Sequence, residues 1–313
     1  MKASKMSVLR LEMRKAKKYR MLVLMTLPGL LYFLINNYLP MFGIVIAFKN
    51  VNFARGIWGS EWIGFKNFEY LFKTKDAYII TRNTLLYNLS FIFLNTAIAI
   101  SLAILLTEIR KRILSRAYQT MILLPYLISM VIVGYLVLGF LDVEKGFMNK
   151  TLLPLFGLEP ISWYSETKYW PWILTIVHAW KGVGQLCIIY LAAIIGIDQE
   201  YYEAAKIDGA NRWQQIRTIT IPLIAPVITI LTLLAIGRIF YSDFGLFFQV
   251  PLNTGALMPV TNTIDTYVYR ALINMGDIGM SSAAGLYQAL VGFVLVLASN
   301  AVVRKFNKDN ALF

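Results

Sequence analysis

The sequence predicts an all-α, polytopic membrane protein with six transmembrane helices, and three observations carry that expectation. First, 58% of its 313 residues are hydrophobic and only 15% are charged, with a mean hydropathy of +0.60; soluble domains sit nearer half apolar and about a quarter charged. Second, the apolar excess is gathered into uncharged runs of membrane length, such as 21–48 and 83–107. Third, basic residues crowd the ends of these runs. A net charge of +13 would suit nucleic acid if the cations formed one tract, and they do not. One cysteine, Cys187, excludes an intramolecular disulfide, and one histidine, His178, leaves no convincing metal cluster.

Residues 1–20 carry eight Lys/Arg against one Glu and read as a basic cytoplasmic segment at the membrane edge. Residues 21–313 read as one six-span domain. No clear small-residue cleavage site follows the basic start, so the first apolar run, 21–48, is expected to be retained. Pro28 lies near its start, and Asn36, Asn37 and Pro40 are placed to bend or break its outer end. Residues 49–82 form an external connection whose aromatic residues suit an interfacial helix. The second span is 83–107 and the third lies within 117–141, joined by a turn containing Arg110, Lys111, Arg112 and Arg116. Pro125 removes a helix hydrogen bond and predicts a kink or discontinuity in the third span. Residues 142–169 return outside, with Trp163, Trp170 and Trp172 suited to a membrane belt. The fourth span, about 170–195, is interrupted by Lys181; the fifth lies within 218–240 and the sixth within 278–303. An inside N terminus puts eighteen of the thirty Lys/Arg on inside segments, counting Arg304, Lys305 and Lys308 after the last span.

Between the fourth and fifth spans lies a charged island, 198–222. Tyr201, Ala204 or Ala205, and Asp208 recur at helical spacing, as do Trp213, Ile216 and Thr220. Two short helices are expected, with Gly209 as hinge or cap and Pro222 in the first turn of the next helix. The pattern Glu203-Ala204-Ala205, three residues, Gly209, nine residues, Ile219, one residue, Ile221, Pro222 resembles the EAA loop of bacterial ABC importer permeases. Ile221 stands where leucine is usual in that loop. Two further stretches are similar to external segments of complex-carbohydrate and oligosaccharide permeases: Trp-Ile-Gly-Phe-Lys-Asn-Phe at 62–68 and Ile-Asp-Thr-Tyr-Val-Tyr-Arg at 264–270.

The resemblance implies a type I ABC importer permease fold in a bacterial cytoplasmic membrane, with both termini cytoplasmic. It implies a second, homologous permease subunit, two cytoplasmic ATPase subunits and an extracellular solute-binding protein as partners. The cargo would be an oligosaccharide or polysaccharide fragment, and the basic residues would favour an acidic one unless each is internally compensated. The EAA loop would be the ATPase-coupling surface, carried by Tyr201, Tyr202, Glu203, Ala204, Ala205, Ile207, Asp208 and Gly209. Glu203 would make a charge-assisted contact, while Tyr201, Tyr202, Ala205 and Ile207 would pack. The chain has no Gly-rich Lys-Ser/Thr phosphate loop and no nucleophile constellation, so it reads as a non-enzyme that binds no cofactor. ATP and Mg would sit on the partner ATPases.

Candidate translocation-path or substrate residues are Trp180, Lys181, Gln185 and Tyr190 on the fourth span, with Arg238, Tyr241 and Phe244 at the end of the fifth. A sugar site needs planar aromatic surfaces and hydroxyl partners, although the same aromatics serve equally as packing. A lysine facing lipid costs roughly 3 kcal/mol, so Lys181 either packs or snorkels within the protein or lines an aqueous path. Arg238 could pair with Asp243, although a separation of five suits one helical face poorly. His178 reads as a packing or hydrogen-bonding residue over a proton relay, and Cys187 as a small hydrophobe. Gly182, Gly184, Ala192, Ala193 and Gly196, and Ala283, Ala284, Gly285, Ala289 and Gly292, would allow close helix approach. Two other classes fit the same spans: an ion-gradient-driven secondary transporter, for which paired inverted repeats are missing, and a non-transport membrane scaffold.

Overall fold

The computed structural model describes residues 19–306. The basic segment 1–20 lies outside them apart from Tyr19 and Arg20, as does Lys308. The chain first forms α1, Arg20–Phe48. Its two polar residues at Asn36 and Asn37 and the proline at Pro40 deform this helix without breaking it: a π turn spans Leu34–Tyr38 and the last turns, Phe42–Phe48, are 3-10. A short antiparallel ladder follows, β1 Lys49–Asn50 with β2 Glu61–Trp62. The all-α expectation did not include it. Asn67, on helix α2 (Lys66–Lys73), ties this ladder down by donating to the carbonyls of Ala47 at 2.9 Å and Lys49 at 3.1 Å.

The body is made by α3 (Lys75–Thr107), α6 (Thr167–Ile195), α8 (Arg212–Gly237) and α11 (Ile278–Phe306). The third span is two helices, α4 (Arg112–Leu127) and α5 (Met130–Leu141), bent by 97° at Ile128–Ser129. A discontinuity was expected, but it falls three residues beyond Pro125, which fits inside the last turn of α4. The most extensive helix pair is α3 against α6, and α6 also packs broadly against α4. Small residues make both contacts possible. Ala99, Ala103 and Cys187 are fully buried in one seam, and a Cβ at Gly184 would lie 2.1 Å from the Ile122 carbonyl oxygen of α4. Ala283 and Ala284 are likewise fully buried, whereas Gly285 has open space beside it and Gly182 meets only the Asn95 amide at 3.6 Å.

At the far end from the charged island, α9 (Phe244–Gln249) and α10 (Ile264–Ile273) cover the bundle. The 264–270 motif is a structural knot. Asp265 accepts from Ser242 N at 2.6 Å and Ser242 Oγ at 2.7 Å, and Gln288 Nε2 reaches both its oxygens at 3.2 Å. Arg270 donates to Asn253 Oδ1 at 2.6 Å, to Thr266 Oγ1 at 3.0 Å and to Asn262 Oδ1. Burial lowers the Arg270 guanidinium from its ordinary value, and these three oxygens hold its charge. From α3, Asn83 Nδ2 donates to Asn262 O at 2.9 Å and Thr84 Oγ1 accepts from Ile264 N at 3.1 Å. One span thereby locks the far cap in place.

The tryptophan belt is only partly formed. Trp172 is exposed, but Trp163 and Trp170 are buried, Trp170 completely. Their indole N–H groups find internal acceptors: Trp163 Nε1 bonds Asn149 Oδ1 at 2.9 Å, and Trp170 Nε1 bonds Trp163 O at 2.8 Å. An indole with its donor satisfied has no need of an interface.

Candidate functional site

The charged island folds as an elbow. Asp198 caps α7 (Gln199–Ile207) by accepting from Glu200 N at 3.1 Å. The helix ends in a Schellman arrangement, Ala210 N to Ala205 O at 2.8 Å and Gly209 N to Lys206 O at 3.1 Å, with Gly209 at φ +80°. Only glycine adopts that conformation without strain. Asn211 then starts α8 through a capping box with Gln214, its two bonds 2.7 and 2.9 Å long. Gly209 is therefore a cap between two fixed helices.

The elbow presents Tyr201, Glu203, Ala204, Ile207 and Asp208 outward, with Ile207 87% exposed and Trp213 beside them 70% exposed. Ala205 is half-buried. Tyr202 is half-buried, and its hydroxyl bonds Thr220 Oγ1 at 2.9 Å. Exposed large apolar side chains on a short polar helix are the mark of a contact surface.

A second feature lies between α3, α6 and α8. A cavity of about 390 Å³ is lined by Asn88, Phe91, Asn95, Thr96, His178, Tyr190, Arg238, Tyr241 and Asp243, among others. His178 stacks on Phe91 at 3.7 Å between ring centroids, 7° from parallel, and its Nδ1 is 3.0 Å from Asn95 Nδ2. That amide donates, so Nδ1 accepts and His178 takes the packing and hydrogen-bonding role expected of it. Asn95 Oδ1 and the Tyr190 hydroxyl are buried without a hydrogen-bond partner, although Tyr190 approaches Thr96. Both residues line the cavity.

Three of the seven path candidates, Tyr190, Arg238 and Tyr241, line this cavity. The other four do not. Lys181 Nζ donates to the carbonyls of Pro125 at 3.3 Å, Tyr126 at 3.0 Å and Ile128. It caps the C-terminal end of α4 at the break, where free carbonyls and the helix dipole both favour a cation. Trp180 and Gln185 are exposed on α6 and do not line the cavity. Phe244 belongs to an aromatic cluster away from the cavity, 4.9 Å from both Phe248 and Tyr269 between centroids. Arg238 and Asp243 do not pair; Asp243 caps α9 through Leu246 N at 3.1 Å. The sequence reading passed over Asn88, Asn95 and Thr96, whose signal was polar groups inside an otherwise apolar run. Among the described residues no group of three metal-ligating side chains is found.

The family of binding-protein-dependent transport system inner membrane components matches residues 95–308, which hold the elbow and most of the cavity lining. The chain belongs to this family. The permease is 40% identical over 299 residues to protein LplB of Bacillus subtilis (strain 168), covering 95% of this chain and 92% of that one. It is 37% identical over 308 residues to the polygalacturonan/rhamnogalacturonan transport system permease protein YteP of the same strain, covering 95% and 94%. Among solved structures it matches a chain of a bacterial ABC transporter involved in import of the acidic polysaccharide alginate, with a TM-score of 0.86 and 32% identity, over 94% of this chain and 98% of that one. The same fold is matched in that transporter's complex with its alginate pentasaccharide-bound periplasmic protein. The permease is thus an inner membrane component of a binding-protein-dependent transport system, with the type I importer fold.

Proposed function

We propose that this permease carries an acidic oligosaccharide inward as one of two homologous membrane subunits, driven by two cytoplasmic ATPases and supplied by an extracellular solute-binding protein. The observation that carries the reading is the cavity between α3, α6 and α8: Arg238 on its wall, aromatic rings at Phe91 and Tyr241, and unpartnered polar atoms on Asn95 and Tyr190. Aromatic faces with a few fixed polar groups suit a sugar, and a guanidinium suits a carboxylate. The acidic cargoes named for YteP and for the alginate transporter support the same choice.

The elbow is the coupling element in this reading, which puts it and both termini in the cytoplasm. Glu203 and Asp208 supply charge to the ATPase contact, and Tyr201, Ala204 and Ile207 supply packing. Ala205, half-buried, and Gly209, the cap, hold the helix in register, while Tyr202 fixes it to α8. ATP and Mg belong to the ATPase subunits, and this chain supplies no catalytic group. Coupling requires that the docked elbow make different contacts in the inward-open and outward-open states.

The test is uptake into liposomes by the transporter purified with its partner subunits. Oligogalacturonate and alginate oligomers are compared with neutral malto-oligosaccharides. ATP-dependent uptake of an acidic oligomer is expected, and Arg238→Gln lowers it about tenfold, the worth of one charge-assisted hydrogen bond. Preference for the neutral series would remove the acidic cargo, and uptake that persists without the ATPases would remove the mechanism.

A further inference from the structure

We propose that a second cavity, at the elbow end of the bundle, binds a phosphate ester that carries hydroxyl groups, the chemistry of a phosphatidylglycerol headgroup. The cavity holds about 420 Å³ and lies where the end of α3, the end of α6, α7 and the start of α8 meet. It is separate from the cavity assigned to the sugar, and the assignment does not depend on which sugar is carried.

Three cations line it, Arg110, Lys206 and Arg212, against the single carboxylate of Glu108. Glu108 lies 3.4 Å from Arg212. The side chains of Arg110 and Lys206 form no ion pair or hydrogen bond among the described residues, so the cavity carries uncompensated positive charge. An anion is the complement.

Gln215 narrows the class. It is 3% exposed, its Nε2 donates to Ala210 O at 2.9 Å, and its Oε1 is buried with no partner. A buried acceptor left unpaired is destabilising. A phosphate oxygen cannot satisfy it, because both are acceptors, but a hydroxyl on the same ligand can. Ile104, Leu191 and Ile195 supply an apolar wall that continues into the spans. An amphipathic occupant, charged at the rim and apolar behind, fits this gradient, and basic pockets between helices at a membrane face are suited to anionic headgroups. A soluble glycerol phosphate offers the same polar chemistry without the tails. Either occupant would bridge the α3–α4 turn to the elbow.

The site can be read by native mass spectrometry of the transporter purified with its partner subunits. Photoactivatable phosphatidylglycerol or phosphatidylcholine is added, with sn-glycerol 3-phosphate as soluble competitor, and crosslinks are mapped. Wild type should retain phosphatidylglycerol over phosphatidylcholine, with crosslinks within 104–110 or 191–216. Arg110→Gln and Lys206→Gln should each reduce that adduct about tenfold while melting temperature stays at the wild-type value, since both side chains are exposed. Displacement of the lipid by millimolar glycerol phosphate, or binding of glycerol phosphate alone, would assign the site to a soluble ester. Equal capture of the two lipids without glycerol phosphate binding, or equal capture of phosphatidylglycerol by wild type and both variants, overturns the proposal.

Discussion

Two of the interruptions of the helical body lie near charged residues and are built in opposite ways. At Gly209 the chain turns through a cap closed by its own neighbours, the Schellman bonds on one side and the Asn211–Gln214 box on the other. Its apolar side chains, Ile207 and Trp213, remain exposed. At Ile128–Ser129 the chain bends by 97° and the freed carbonyls are closed from outside, by a lysine more than fifty residues away in sequence. A locally satisfied break leaves its surface free for a partner. A break that borrows its cation from another helix is fixed inside the bundle. Charge in an apolar chain therefore has two uses here, and position alone does not tell them apart.

The largest effect that tests this contrast is at the elbow. Gly209→Pro removes the N–H that bonds Lys206 O and demands φ near −65° where the chain has +80°. Glu203→Lys reverses an exposed charge on the same helix. Both should lower binding-protein-stimulated ATPase activity and uptake more than tenfold while membrane insertion is retained. Wild-type stimulation in both variants would show that this surface is not where energy enters.

The elbow was legible because its signals are local. Polar residues at helical spacing, a glycine and a proline within twenty-five residues state two helices and a turn without reference to anything distant. The far side was not legible in that way. Lys181 was a path candidate because its partners are the carbonyls of Pro125, Tyr126 and Ile128, which carry no sequence signature. Trp163 and Trp170 resembled a membrane belt until Asn149 and a backbone carbonyl took their indole protons. Asn88 and Asn95 were hidden by hydropathy itself, since an uncharged amide barely lowers the average of a long apolar run. Five of the expected spans came through as single long apolar helices, and the third as a bent pair, because length and composition suffice for them.

Next in size is the other interruption. Lys181→Met leaves carbonyls of Pro125, Tyr126 and Ile128 without their donor and should cost about 2 kcal/mol of stability. Thermal unfolding in detergent reads it, and Lys181→Arg, which keeps a cation, should recover part of the loss. If Lys181→Met melts like wild type and instead raises the KM for uptake, the lysine belongs to the path and the contrast between the two breaks dissolves.

A smaller effect is expected within the sugar cavity. Tyr190→Phe and Asn95→Leu each remove one polar group that has no hydrogen-bond partner at its free atom. One hydrogen bond to cargo is worth about 1 kcal/mol, so KM should rise about fivefold with little change in the maximal rate. Asn95→Leu also removes the donor to His178 Nδ1 and should lower the melting temperature, whereas Tyr190→Phe should not. A KM change in Asn95→Leu alone would mean that His178 position, and not the amide itself, governs the cavity.

The smallest effect separates two faces of one helix. Gln185 and Tyr190 both lie on α6, but Tyr190 is buried at the cavity and Gln185 is exposed and does not line it. Substituting an exposed residue away from caps and cores changes stability by less than about 0.5 kcal/mol, and Gln185→Ala should leave uptake within about twofold of wild type. Should Gln185→Ala instead stop uptake without altering the melt, its face of α6 must meet a partner subunit or a second stretch of the path. Pairing it with Tyr190→Phe in one preparation decides which side of α6 the cargo passes.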